Sequence, residues 1–145
     1  EYVNRFIAFT EMDLEEYRGN IDEFLRRVLK KVNQYEDSEI DRIEETFIRV
    51  MTYCSKIFGK YAFRKFNENW RRGPINKALF ETWSFLFSRM EKAELDELVD
   101  KREKLLKQFQ KQLQNMDYIN ALKSGDQYSV ARRIELTRGV VREII

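Results

Sequence analysis

Apolar residues recur along most of this chain at intervals of three and four, which is the spacing of an amphipathic helix. One stripe occupies residues 21–32, and a longer one occupies residues 40–58. Residues 75–90 are apolar on nearly all sides, a pattern typical of a helix at the centre of a domain. The remaining stripes lie at residues 2–9, 95–116 and 128–144.

Several stripes end at residues that commonly begin or end helices. Asn20 with Glu23 resembles a capping box, and Gly59 suits the position after the last helical residue. Pro74 fits the first turn of a new helix. We therefore expect an all-α fold, with residues 1–145 forming a single helical domain. It would be a compact bundle of about six to seven helices around a buried central helix at residues 75–90.

The composition adds charge to this picture. The net charge of +2 conceals an acidic segment, residues 11–45, with a net charge of −6. Residues 60–77 carry +5 and residues 99–145 carry +4. Such a division is expected of a protein that presents a basic face to a polyanion. A helical surface of mixed charge with no partner would give the same totals.

The chain lacks the residues on which most catalytic and metal-binding sites depend. The chain has no His and a single Cys, Cys54, which excludes His-dependent nucleophiles and the usual zinc sites. No glycine-rich phosphate-binding loop is present. The apolar runs are too short and too often interrupted by charge for a membrane span. We expect no catalytic residue, no metal ligand and no cofactor in this chain, and no membrane association.

One stretch favours contact with nucleic acid. Residues 60–77 contain six basic residues against one acid, Glu68, and aromatic residues alternate with them. Such a pattern can neutralise phosphates and stack on bases. The candidate contact residues are Lys65, Trp70, Arg71 and Arg72.

The same stretch also has a structural interpretation. Phe63 and Phe66 would turn inward where the chain crosses between two helices, and Arg64 would pair with an acid of residues 11–45. Asn76 and Lys77 would then begin the next helix. The residues alone leave both interpretations open.

Two parts of this region resemble a known family. The runs FGKYAFRK (58–65) and INKALFETWS (75–84), with NRFIAF (4–9), look like the helical region of GmrSD-type restriction endonuclease proteins. In that family the helical region follows a ParB/sulfiredoxin-like domain, a nuclease–NTPase that carries a D-G-Q-Q-R-type motif. The resemblance implies a prokaryotic, cytoplasmic protein of restriction-modification and phage defence, whose parent is a nucleotide-dependent DNA endonuclease.

This chain contains no D-G-Q-Q-R run, so no catalytic residue can be transferred to it. The resemblance implies a non-catalytic helical domain, part of a longer protein, that scaffolds the ParB-like domain and adds DNA contact. The motif residues would be structural or would seat that domain. They are Phe58, Gly59, Phe63, Arg64, Ile75, Asn76, Lys77 and Phe80.

Two other hypotheses stay open at this point. In the first, the chain is a free-standing helical adaptor that binds a protein partner through exposed aromatic residues such as Trp70 and Trp83. In the second, the chain binds DNA independently. An exposed apolar patch around Tyr2, Phe6 and Phe9 would favour an interdomain role.

Overall fold

Helices make up most of this computed structural model, which describes residues 1–11 and 13–145. Eight α-helices lie in those residues: α1 Tyr2–Glu11, α2 Ile21–Val32, α3 Asp37–Phe58, α4 Lys77–Ser88, α5 Lys92–Asp100, α6 Arg102–Gln112, α7 Met116–Lys123 and α8 Gln127–Ile144. Two short strands, β1 (Arg64–Phe66) and β2 (Arg72–Ile75), form an antiparallel hairpin between α3 and α4. Single 3-10 turns occupy Leu14–Glu16 and Gly59–Tyr61. The expected all-α fold is confirmed.

Helix α4 lies at the centre of the bundle. Its residues 79–87 are all buried, and α1, α3 and α8 pack around it. The Trp83 ring lies 4.7 Å from that of Phe58 on α3 and 5.1 Å from that of Phe109 on α6. The predicted central helix is therefore confirmed, although it spans Lys77–Ser88 rather than residues 75–90.

Two predicted elements differ in the structure. Pro74 lies in β2 and does not begin a helix; α4 begins after Asn76, whose side chain accepts a hydrogen bond from Leu79 N. The missing N–H of Pro74 is tolerated because a two-stranded sheet leaves one edge of each strand unpaired.

The long helix expected over residues 95–116 is broken at Lys101, where φ is −102° and ψ is 19°. The break allows α5 to pack mainly on α3 while α6 packs mainly on α8. It also explains why the described residues contain more helices than expected.

A buried ion-pair cluster joins three helices. Arg5 on α1 and Arg133 on α8 each donate a hydrogen bond to a different carboxylate oxygen of Glu81 on α4. Glu81 is 4% exposed and Arg133 is 3% exposed. Arg133 also donates to the carbonyl oxygens of Ala121 and Ser124, at 3.1 and 2.7 Å. The cluster therefore fixes α1, α4 and α8 relative to the end of α7.

Helix α1 buries its apolar face inside the bundle. Phe6 and Phe9 are 0% and 1% exposed, and the Tyr2 ring packs edge-on against Phe80 at 5.0 Å. The exposed patch that would favour an interdomain role for this helix is therefore not formed by these residues. None of the helices in residues 1–11 and 13–145 combines the length and hydropathy that a bilayer crossing needs.

Candidate functional site

The basic and aromatic stretch folds as the β1–β2 hairpin. Gly59 ends α3 with φ at 53°, a conformation that favours glycine. The strands pair Arg64 with Ile75 and Phe66 with Arg72, and the register is irregular between the two pairs. Phe63, before β1, and Trp70, before β2, both have left-handed φ angles, at 58° and 59°. A positive φ is unfavourable for residues other than glycine, so packing against the rest of the bundle holds the hairpin in this conformation.

Asn67 organises the turn between the strands. Its amide donates to Arg71 O at 3.0 Å, and its side-chain oxygen accepts from the amides of Asn69 and Arg71 at 2.9 and 3.0 Å. Its carbonyl oxygen accepts from Trp70 N and from the side-chain amide of Gln110 on α6. Sequence reasoning missed Asn67, although asparagine is a typical turn residue for this reason.

Three rings form an aromatic platform on the hairpin: Tyr61, Phe66 and Trp70. Trp70 stacks on Phe66 with ring centroids 5.5 Å apart and planes 12° apart. Tyr61 packs against both rings, at 4.9 Å from Phe66 and 5.6 Å from Trp70. Phe66 is buried against Phe109 of α6, whereas Trp70 is 37% exposed. The core thus supports a tryptophan that also faces solvent.

The basic side chains of the hairpin either donate to backbone carbonyl oxygens or have no polar partner in residues 1–11 and 13–145. Arg64 donates to Gly73 O at 2.9 Å, so the expected pair with an acid of residues 11–45 is wrong. Arg72 donates to Lys60 O at 2.7 Å. Among the residues the structure describes, no carboxylate lies within 4.0 Å of the cationic nitrogens of Lys60, Arg64, Lys65, Arg71 or Arg72. Within the described part of the chain, therefore, no ion pair neutralises their positive charge.

Helix α6 extends this positive charge. The Gln110 side chain lies 2.9 Å from Asn67 O, which places one face of α6 beside the hairpin turn. Residues 104, 107 and 111 are exposed lysines whose spacings of three and four put them on one stripe of α6, and Gln110, three residues after Lys107, lies at the edge of that stripe. We define the basic surface as Lys65, Arg71, Arg72, Lys104, Lys107 and Lys111. Sequence reasoning missed the α6 lysines, because only tertiary structure brings them to the hairpin.

A groove separates the hairpin from the end of α6 and the start of α7. Its volume is about 430 Å³, and Lys65, Asn67, Arg71 and Gln114 line it together with apolar residues. Two cations of the basic surface therefore face a concave region rather than a flat one.

The family-like motif residues lie mostly behind this surface. The Phe63 ring packs edge-on against Phe80 at 4.9 Å, and the amide of Asn76 donates to Phe63 O at 2.7 Å. Phe58 is in the core, whereas Ile75 is 47% exposed. Phe63, Asn76 and Phe80 thus connect the hairpin to α4. Lys77 forms an ion pair with Glu1 at 2.8 Å.

One of the two aromatic residues on which the adaptor hypothesis depends is buried. Trp83 is 1% exposed and cannot contribute to a binding surface, because its position on α4 places it in the core. Trp70 is the exposed member of the pair.

No family model matches this chain, and no curated protein or solved structure shows significant similarity to it. The resemblance to GmrSD-type proteins stays a prediction.

Proposed function

We propose that this chain is a non-catalytic helical module that contacts DNA through the basic surface and the aromatic platform. The observation that carries the proposal is the group of hairpin cations, which have no carboxylate partner among the described residues and lie beside the exposed Trp70. Phosphate neutralisation by Lys and Arg supplies affinity that does not depend on sequence.

The aromatic platform adds a stacking contact with unpaired bases, which the paired bases of duplex DNA do not make. An exposed tryptophan face can stack on an unpaired base, with a contribution of about 1–3 kcal/mol per base. Trp70 is held on Phe66, so little side-chain freedom is lost when a base stacks on it. We therefore expect single-stranded or locally unpaired DNA to depend on Trp70 more than duplex DNA does.

The wider role that we propose is the helical part of a GmrSD-like restriction or anti-phage protein, with a ParB-like domain as its partner in the same polypeptide. The support is the pair of sequence runs at residues 58–65 and 75–84, which the hairpin brings against each other through Phe63 and Phe80. Reading the parent gene tests this role. An upstream reading frame without a D-G-Q-Q-R-like segment would contradict it.

Fluorescence anisotropy with labelled single-stranded and duplex oligonucleotides tests the DNA contact. We expect Arg71→Glu/Arg72→Glu to weaken binding and to reduce the salt slope by about 2 for duplex DNA, since each phosphate contact contributes about 0.9. The matched control is Lys30→Glu/Lys31→Glu, which makes the same charge change at exposed positions of α2. Equal losses in both variants would attribute binding to net charge and overturn the assignment of the surface.

Two further variants separate the parts of the surface. Trp70→Ala should cost about 1–3 kcal/mol on single-stranded DNA and much less on duplex DNA. Lys107→Glu/Lys111→Glu should weaken binding to both, because these lysines contribute only charge. If neither affects affinity at low salt, the proposed surface is wrong.

A further inference from the structure

The groove beside the hairpin combines an apolar lining with polar side chains. Its volume of about 430 Å³ lies within the roughly 300–1,000 Å³ that is usual for small-molecule sites. The apolar lining includes Phe66, Leu113 and Ile119, of which Phe66 is 4% and Leu113 is 8% exposed. A groove of this kind suits a flat ring that also carries hydrogen-bonding groups on its edges.

Contacts within the protein hold the two sides of the groove in place. On the hairpin side, Asn67 O accepts from the Gln110 side chain of α6 at 2.9 Å, and the Phe66 ring packs against Phe109 at 6.0 Å. On the other side, the side chain of Asn115 caps α7 and so fixes the turn between α6 and α7. A ligand that enters the groove therefore does not have to order its walls, which favours binding.

Phe66 connects the groove to the aromatic platform. Trp70 stacks on the Phe66 ring with centroids 5.5 Å apart, and Phe66 also lines the groove. Successive stacked bases of one DNA strand are about 3.4 Å apart, and unstacked bases are further apart. Neighbouring nucleotides of a single strand can therefore reach the outer face of Trp70 and the groove at the same time.

The hydrogen-bonding groups around the groove favour one base. Lys65 and Arg71 are exposed and carry only donors. Within residues 1–11 and 13–145, no carboxylate lies within 4.0 Å of their cationic nitrogens. Guanine has two adjacent acceptors, O6 and N7, which are the commonest base-specific partners of Lys and Arg. Adenine and cytosine have an amino group on the same edge, and thymine has the single acceptor O4.

We propose that the groove binds an unpaired guanine whose neighbour in the same DNA strand stacks on Trp70. This inference rests on the proposed function, because the basic surface and the aromatic platform bring the strand to the hairpin. The guanine ring packs on the apolar lining, and its O6 and N7 accept from Lys65 and Arg71. Its N1–H donates to the side-chain oxygen of Gln114, which is exposed at the groove. That last contact uses the Watson–Crick edge, so the base has to be unpaired.

Fluorescence anisotropy with short labelled thymine strands tests the base preference. The strands differ only at one central position, which is thymine, guanine, adenine, cytosine or an abasic site. We expect the guanine strand to bind at least about fivefold more tightly than the all-thymine strand, since one bidentate base contact discriminates by this amount or more. The other strands should bind no more tightly than the all-thymine strand.

The same titrations separate this inference from the proposed function. Equal affinity for the guanine and adenine strands would overturn the guanine site and leave DNA contact by the basic surface intact. If none of the strands binds, both the guanine site and the proposed function are wrong.

Two variants assign the preference to the groove. Gln114→Leu should reduce the guanine preference by about twofold or more, because one hydrogen bond is lost. Gln34→Leu makes the same change at an exposed position after α2 and should leave the preference unchanged. Ile119→Trp should fill the groove and abolish the preference, with binding of the all-thymine strand retained. Full guanine preference in both groove variants would overturn the proposal.

Methyl resonances of the unmodified chain locate the base directly. In ¹H–¹³C spectra, the methyl signals of Leu113 and Ile119 should shift with the guanine strand, because an aromatic ring lies against them, and shift much less with the abasic strand. The methyl groups of Val3, which is 55% exposed on α1, serve as the control. Equal shifts with the guanine and abasic strands would place the base outside the groove and overturn the proposal.

Discussion

Glu81 is surrounded by protein, and its two carboxylate oxygens are divided between Arg5 and Arg133. Glu81 is important to the fold because its negative charge compensates two guanidinium groups at the junction of three helices, and this carboxylate is their common partner. A buried ion pair is only weak evidence for stability as a whole, but removal of one partner leaves the other charge uncompensated.

We therefore expect Glu81→Gln to lower the free energy of unfolding by about 3–5 kcal/mol. Urea denaturation followed by circular dichroism measures it. The control is Glu135→Gln, which removes an exposed carboxylate paired with Arg132 and should change stability by no more than about 0.5 kcal/mol. Similar effects of the two changes would show that the buried cluster does not support the packing of α1, α4 and α8.

Asp126 provides a pH-dependent contribution at the start of α8. The hydroxyl of Ser124 and then the amide and hydroxyl of Ser129 bond to its carboxylate and lower its pKa to about 2. In the unfolded chain the pKa of aspartate is about 3.9. Because the folded value is the lower one, ionised Asp126 stabilises the fold above pH ~4, and this contribution disappears as the pH falls towards 2.

A carbon-13 titration of the Asp126 carboxyl should show this depressed pKa directly. We expect Ser129→Ala to raise the pKa, since two hydrogen bonds to the carboxylate involve Ser129. Asp126→Asn retains a good capping residue and removes the charge, so its stability should fall less steeply between pH ~4 and 2. An Asp126 pKa close to 3.9 in the unmodified chain would contradict the structure here.

At the scale of elements, two glycines should respond in opposite directions to the same substitution. Gly59 ends α3 with φ at 53°, and Gly139 lies within α8; a Cβ added at either would meet no atom within 4 Å. Gly59→Ala should therefore cost about 1–3 kcal/mol, because φ of 53° with ψ of −125° is a backbone conformation that residues with a Cβ rarely adopt. Gly139→Ala should stabilise by about 0.5–1 kcal/mol, through helix propensity.

Thermal unfolding of the two alanine variants measures these changes side by side. Equal shifts in the melting temperature would mean that the backbone of Gly59 is not confined to positive φ.

The helices could largely be predicted from the sequence, because their signals are local. The stripes in residues 21–32 and 40–58 correspond to α2 and α3, and the all-round apolar pattern identified the buried α4. The break at Lys101 could not be predicted in the same way. No glycine or proline lies there, and the separate packing of α5 and α6 is a tertiary effect.

The candidate site was predicted only in part for a similar reason. The two strands are too short to show a periodic pattern. Their pairing also joins residues that are not close in sequence, such as Arg64 and Ile75. Pro74 suggested a helix start because an edge strand and a first helical turn both tolerate a residue without N–H. The position of the α6 lysines beside the hairpin depends on how elements distant in sequence meet.

At the scale of the whole molecule, Phe109 connects the hairpin to the core. Its ring lies within 6.2 Å of four other aromatic rings, which belong to Phe58, Phe66, Trp83 and Tyr118. These residues come from α3, the hairpin, α4 and α7. The aromatic platform is therefore continuous with the bundle and should not unfold separately from it.

We expect Phe109→Ala to destabilise the protein by about 3–5 kcal/mol, since it removes a fully packed ring from this junction. Phe109→Leu retains most of the volume and should cost less than about 1.5 kcal/mol. Urea titrations followed by far-ultraviolet circular dichroism and by Trp70 emission, with Trp83→Phe in the background, should give coincident transitions. Earlier loss of the Trp70 signal would indicate that the hairpin opens independently.

The burial of Cys54 has a practical consequence for chemical labelling. It is the single cysteine of the chain and is 1% exposed on α3, and burial raises the pKa of its thiol. Thiol reagents react with exposed thiolates, so the Cys54 side chain should not react with them in the folded protein. A cysteine introduced at Glu68, exposed in the hairpin turn, would accept a fluorophore or a cross-linker at one defined position, with Cys54 left in place.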